Sequence, residues 1–187
     1  MGIRCFIAIE LQPELKNNIS FHMQKLISAG ADVKWVVPEN LHLTLKFLGS
    51  TPEEKIPDIS KQLATITKSH NNFSLCFSGA GVFPNIKFPR VVWLGAKDSD
   101  DIIKLQKDIE NAMAELGFNK EKRRFTAHLT LGRVRSFKNK EPLMNELATL
   151  KDMDFGKIEV KSIALMKSEL KPGGAVHQRL AEFVLGN

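Results

Sequence analysis

Two short phrases in this chain carry the residue types for proton transfer. His42-Leu43-Thr44 and His128-Leu129-Thr130 each set a histidine two residues before a threonine. On an extended strand that spacing points both side chains to one face. Imidazole suits proton transfer near neutral pH, because its ordinary pKa is about 6.5. Of two such rings facing one substrate, the neutral one takes a proton from an attacking water and the charged one protonates a leaving oxygen. Groups of this kind each contribute roughly 10²–10⁴-fold to a rate. The hydroxyls of Thr44 and Thr130 can donate to non-bridging phosphate oxygens, and Arg133 adds a fixed positive charge. The set is the minimum for metal-free acid–base chemistry on a phosphate ester.

The two phrases belong to a longer repeat. The histidines are 86 residues apart (128 − 42). The same shift lays residues 4–9 on 90–95, two apolar runs that each open with Arg, and residues 73–83 on 159–169. One His-x-Thr on a strand is ordinary, since Thr forms strands well and His suits a polar sheet face. Its recurrence at an equivalent place points to two similar lobes facing each other across a pseudo-twofold axis, with His42 and His128 in one cleft. Zinc chemistry fits less well. It needs three or four protein ligands, no Asp or Glu falls within either phrase, and the cysteines lie far away in sequence. No metal and no cofactor are expected. A nucleophilic threonine is also disfavoured, because two symmetric His–Thr pairs suit acid–base work.

The positioning elements follow from periodicity and breakers. Strands are expected over 4–10, 33–37, 41–48, 73–82, 90–96, 125–134, 158–170 and 176–185. Helices are expected over 13–29, with Gly30 as its stop, over 52–69 with a break or late start at Pro57, over 100–116 with Ser99 as cap, and over 142–150. In 41–48 the alternation puts Leu41, Leu43, Leu45 and Phe47 on one face and His42, Thr44 and Lys46 on the other. Residues 171–174 read as a turn, and His177 as a solvated histidine beside it. His22 and His70 read as surface residues of helices. The basic run 120–124 reads as a solvated connector, with Arg123 and Arg124 nearest the second motif strand and best placed for an RNA backbone.

Length and composition set the class. One domain of 187 residues, built from two packed lobes, is expected. A net charge of +6 favours polyanionic partners such as RNA. No apolar run approaches the ~20 residues of a membrane helix, and no signal peptide is visible, so the chain reads as cytoplasmic. Cys5 and Cys76 fit no disulfide framework and read as small buried hydrophobes.

The paired motifs, the segment 40–49 and the strand 90–95 resemble the two-histidine (2H) phosphoesterase superfamily, and within it the RNA 2′,3′-cyclic phosphodiesterase family, also called 2′-5′ RNA ligase. The resemblance covers essentially the whole chain. It implies a bilobal, pseudo-twofold α+β fold, with two antiparallel sheets around a central cleft and helices on the outer faces. It implies a monomer that hydrolyses RNA 3′ ends or nucleotides carrying a 2′,3′-cyclic phosphate to the 2′-phosphate. His42 and His128 are then the acid–base pair, and Thr44 and Thr130 hold the phosphate. An aromatic at Phe47 stacks on the base, and Arg133 lies near the phosphate. Strict alternation points Phe47 and Arg133 away from the histidines, so they reach the cleft only through a twist or bulge. Ligation at the same site, cleavage of 2′-5′ oligoadenylate, and RNA-end binding without catalysis are the alternatives. The pseudo-symmetry leaves open which histidine is acid and which is base.

Overall fold

A computed structural model of the chain describes residues 2–97, 99–172 and 174–186. Nine strands and four helices run in the order β1 (Gly2–Glu10), α1 (Pro13–Ser28), β2 (Val33–Trp35), β3 (His42–Pro52), α2 (Ile56–Lys68), β4 (Phe73–Phe83), β5 (Val91–Ala96), α3 (Asp100–Glu115), β6 (His128–Val134), α4 (Lys140–Thr149), β7 (Asp154–Val160), β8 (Ser162–Lys171) and β9 (Gly174–Val184). The fold is α+β, as expected.

The strands form one curled antiparallel sheet in the order β7-β4-β5-β6-β3-β1-β8-β9, with β2 also paired to β6. The expected two sheets are its two arms. They join through one recorded rung, Leu43 opposite Leu129. The repeat explains the arms with one twist. β1 and β3 pair in the first half, and their counterparts β5 and β6 pair in the second. The next counterparts change sides: β4 lies against β5, and β8 against β1. Each half thus lends a strand to the other.

Local chemistry accounts for the helices. Pro13 opens α1, whose buried stripe is Leu15, Ile19, Met23 and Leu26, and Gly30 follows it at φ 68°. The Ser99 hydroxyl accepts the Ile102 N–H at the start of α3. Pro57 delays α2 to Ile56, behind a short 3₁₀ turn at Glu53–Lys55. All four helices send apolar residues into the core that holds Ile7, Ile9, Leu43, Leu94 and Leu129. Their packing covers that sheet face. Among the described residues the opposite face carries a small buried cluster, Phe6, Ala8, Ala164 and Met166, and it is the face of the histidines.

Two expectations need correction. The strand expected over 158–170 is two strands, β7 and β8, broken at Lys161 and sent to different arms. The second motif strand starts at His128 rather than 125. The turn at 171–174 joins β8 to β9, and Gly173 within it lies outside the described residues. No helix among the described residues is long and apolar enough to cross a membrane.

Candidate active site

The rung that joins the arms also organises the motifs. Leu43 and Leu129 are 86 residues apart, so each is the repeat counterpart of the other and the pseudo-twofold axis passes between them. Continuing that antiparallel register by one residue sets His42 across from Thr130 and Thr44 across from His128. All four occupy the face opposite the buried leucines. The histidines hold diagonal corners, roughly 7–8 Å apart by ordinary sheet geometry and somewhat closer between β-carbons. That separation suits rings reaching toward one small anion from two sides.

Each imidazole is oriented the same way. Nδ1 of His42 lies 2.7 Å from the Asn40 carbonyl, and Nδ1 of His128 lies 2.7 Å from the Thr126 carbonyl. A carbonyl only accepts, so in the neutral ring Nδ1 carries the hydrogen and Nε2 keeps its lone pair. The surroundings differ. His42 stacks on Phe6 at 4.7 Å between centroids and meets the edge of His177 at 5.3 Å. Burial pushes its pKa down to about 4; the Asn40 carbonyl opposes this, while His177 and Lys16 add smaller downward pushes. Burial also lowers the pKa of His177. His128 instead meets Phe83 edge-on at 5.1 Å, and Phe83 stacks on Trp93. The Trp93 indole passes so close to Gly81 that a Cβ there would sit 2.6 Å from the ring.

Two matching bulges bring the odd-numbered candidates round. In β3, Ala8 pairs with Thr44 and Ile7 with Lys46, so Leu45 is an extra residue. In β6, Trp93 pairs with Thr130 and Val92 with Gly132, so Leu131 is extra. Leu45 and Leu131 are repeat counterparts. After each bulge the parity of the strand reverses. Phe47 therefore joins the face of His42 and Thr44, 6.2 Å from Phe6 and 68% exposed, and Arg133 joins the face of His128 and Thr130. The alternation expected for 41–48 holds through Leu45 and fails at Lys46. Lys46 is buried on the helix side, where its ammonium donates to Glu110 at 2.6 Å and to the Asn119 carbonyl at 3.0 Å.

Several side chains lie where the sequence alone does not predict them. His177 lies in β9, not in a solvated turn; it faces Phe6 and His42, and its Nδ1 is buried without a partner. Its position depends on the pairing Ser168 opposite His177, which no local pattern reveals. Next along that face, Arg179 bridges Glu10 and Glu182. A pocket of about 460 Å³ opens beside the cleft along Val37, Asn40, Lys171, Ala175 and Val176. His70 is buried rather than on the surface and pairs with Asp108 at 2.9 Å. His22 packs edge-on to Phe155, with Nδ1 buried. Cys5 is buried, whereas Cys76 is only partly so. The basic run 120–124 is exposed, with Lys120 bonded to Asn111. Among the described residues, no group of three or more His, Cys, Asp or Glu is placed to hold a metal ion.

Comparison with known proteins adds three findings. Residues 22–172 match the model of the 2'-5' RNA ligase superfamily. The chain is 36% identical to the RNA 2',3'-cyclic phosphodiesterase of Methanothermobacter thermautotrophicus, covering 99% of this chain and 100% of that protein. It is 36% identical to the protein of that name from Thermotoga maritima, covering 96% and 94%. Among solved structures it resembles TT0787 of Thermus thermophilus, with a TM-score of 0.81, 28% identity and 99% and 100% coverage. It also resembles E. coli LigT complexed with 3'-AMP, with a TM-score of 0.80, 25% identity and full coverage of both chains.

Proposed function

Because this chain belongs to the 2'-5' RNA ligase superfamily, we propose that it hydrolyses RNA 2′,3′-cyclic phosphate ends to 2′-phosphates, with His42 and His128 as a metal-independent acid–base pair. One observation carries the reading: the Leu43–Leu129 rung sets two His–Thr pairs around one axis, on one open sheet face. The names of the relatives support the substrate.

The reaction needs little beyond these groups. Water attacks phosphorus, the bond to the ribose 3′ oxygen breaks, and the 2′ ester remains. One imidazole takes the water proton at Nε2, and the other protonates the departing 3′ oxygen, so protons balance over the cycle. His42 is the base in this reading, because burial keeps its ring neutral. His128 is the acid. Thr44 and Thr130 donate to the non-bridging oxygens, and Arg133 offsets the charge gathering there. Phe47 offers an exposed face for the terminal base. No step calls for a Lewis acid. Ligation follows the same path with the 5′-hydroxyl of a second strand attacking in place of water, and excess water favours hydrolysis.

The test is turnover of a 2′,3′-cyclic nucleotide in excess chelator, with the product identified by ³¹P NMR. The expected result is a 2′-phosphate at a rate the chelator does not change. A 3′-phosphate product, or activity abolished by chelation, contradicts the reading. Tight binding without turnover leaves an end-binding module instead.

A further inference from the structure

A second surface lies at the far end of the motif strand. Past Arg133, β6 runs out at Val134, and the chain continues through Arg135 and Ser136 to Phe137. Beside it, the loop between β4 and β5 carries Lys87, Phe88 and Arg90. Between them is a groove of about 310 Å³, lined by Phe88, Arg90, Arg135 and Phe137 among others. The two phenylalanines are 51% and 56% exposed, and their rings stand 6.3 Å apart. Each has a lysine ammonium over its face, Lys87 at 5.5 Å and Lys140 at 5.7 Å.

The two segments that frame the groove carry charge of one sign, with Asp32 beside them, its carbonyl accepting the Arg135 N–H. Residues 84–90 and 133–140 contain Lys87, Arg90, Arg133, Arg135, Lys138 and Lys140, and no Asp or Glu. None of these six cations forms an ion pair among the described residues. Exposed rings interleaved with unpaired cations are what a single-stranded nucleic acid needs: faces for bases and charge for phosphates. The surface is continuous with the cleft. Phe83, which touches His128, immediately precedes the loop, and Arg133 near the end of β6 is followed by Arg135 just past it. The groove begins roughly 15 Å from Thr130 along that strand, beyond the reach of the reacting nucleotide itself.

We propose that this groove holds the body of the RNA strand behind its reacting end, with bases on Phe88 and Phe137 and phosphates on the surrounding lysines and arginines. The proposal rests on the RNA-end reading of the cleft, and it makes the protein a reader of strand as well as of terminus.

The experiment compares a 2′,3′-cyclic mononucleotide with an octaribonucleotide of the same end, in the wild type and in Phe88→Ala/Phe137→Ala. Both side chains are exposed, so their loss leaves the core intact. The expected result is a KM for the octamer raised about tenfold or more in the variant, with its kcat and all mononucleotide kinetics unchanged. Arg135→Ala should lower the salt dependence of octamer binding by about one counterion. Equal octamer affinity in variant and wild type overturns the proposal. So does a wild-type dimer that the variant loses, which would give the groove to a second copy. Anisotropy with a labelled octamer ending in a 3′-hydroxyl decides the groove separately. If the wild type turns over no cyclic phosphate, the reading of the cleft fails, while loss of octamer binding in the variant still supports the groove.

Discussion

His42 is where the two halves of the repeat stop being equivalent. Phe6 on its face and His177 at its edge take water from its ring, and its pKa falls to about 4. Between about 4 and 6.5 the unfolded chain binds a proton that folded His42 refuses. Stability should therefore decline as pH falls through that window and lose nothing to this group above it. Urea midpoints at pH 7 and pH 5 check this: His42→Asn should show a smaller loss than the wild type. The same shift has a kinetic sign. A base must be neutral, so the acidic limb of kcat/KM should lie near pH 4, well below the ordinary histidine range. At this scale the sequence was informative where a residue recurs and blind where a partner is distant. Both motif histidines were legible from their duplication. His70 was not, because Asp108 reaches it from α3. His177 was not, because its place is fixed by hairpin register.

Among the elements, the two motif strands do the positioning, and their bulges decide which side chains see the cleft. Alternation was legible up to Leu45, since it depends only on neighbours in sequence. The bulge was not, because it is a mismatch between β3 and its partner β1. It is held from the helix side. Gln106 of α3 donates to the Leu45 carbonyl and to Glu110, and Glu110 accepts from Lys46. The ion pair is enclosed, with side chains 3% and 13% exposed. Truncating Lys46 leaves the Glu110 carboxylate without its cation, with Gln106 and the Glu121 N–H as its remaining donors, so Lys46→Ala should cost about 3–5 kcal/mol in thermal or urea unfolding. Lys46→Ala/Glu110→Gln, which removes both charges, should recover part of it. A single variant as stable as the wild type would mean that the pair does not secure the bulge. The 158–170 segment failed for a related reason: a break between strands bound for different arms leaves a continuous strand-like composition.

For the whole molecule, the repeat was legible and the exchange of strands was not. A shift of 86 finds counterparts, but it does not say whose sheet they join. Because β4 completes the arm of β5 and β8 completes the arm of β1, neither half encloses its own core. Residues 2–86 expressed alone should lack a cooperative unfolding transition by circular dichroism, and mixing them with 87–187 should restore one. An independently folded first half would refute a jointly built single domain. The same axis that braids the arms sets both histidines on one sheet face; the proposal that they act on one phosphate is tested most directly by kinetic coupling. The measurement is kcat on a 2′,3′-cyclic nucleotide for His42→Ala, His128→Ala and the double variant. Each single change should lower kcat roughly 10²–10⁴-fold, and the double should fall little beyond the worse single, because two groups acting in one step are not additive. A near-wild-type rate in either single variant, or losses that multiply in the double, would contradict the account.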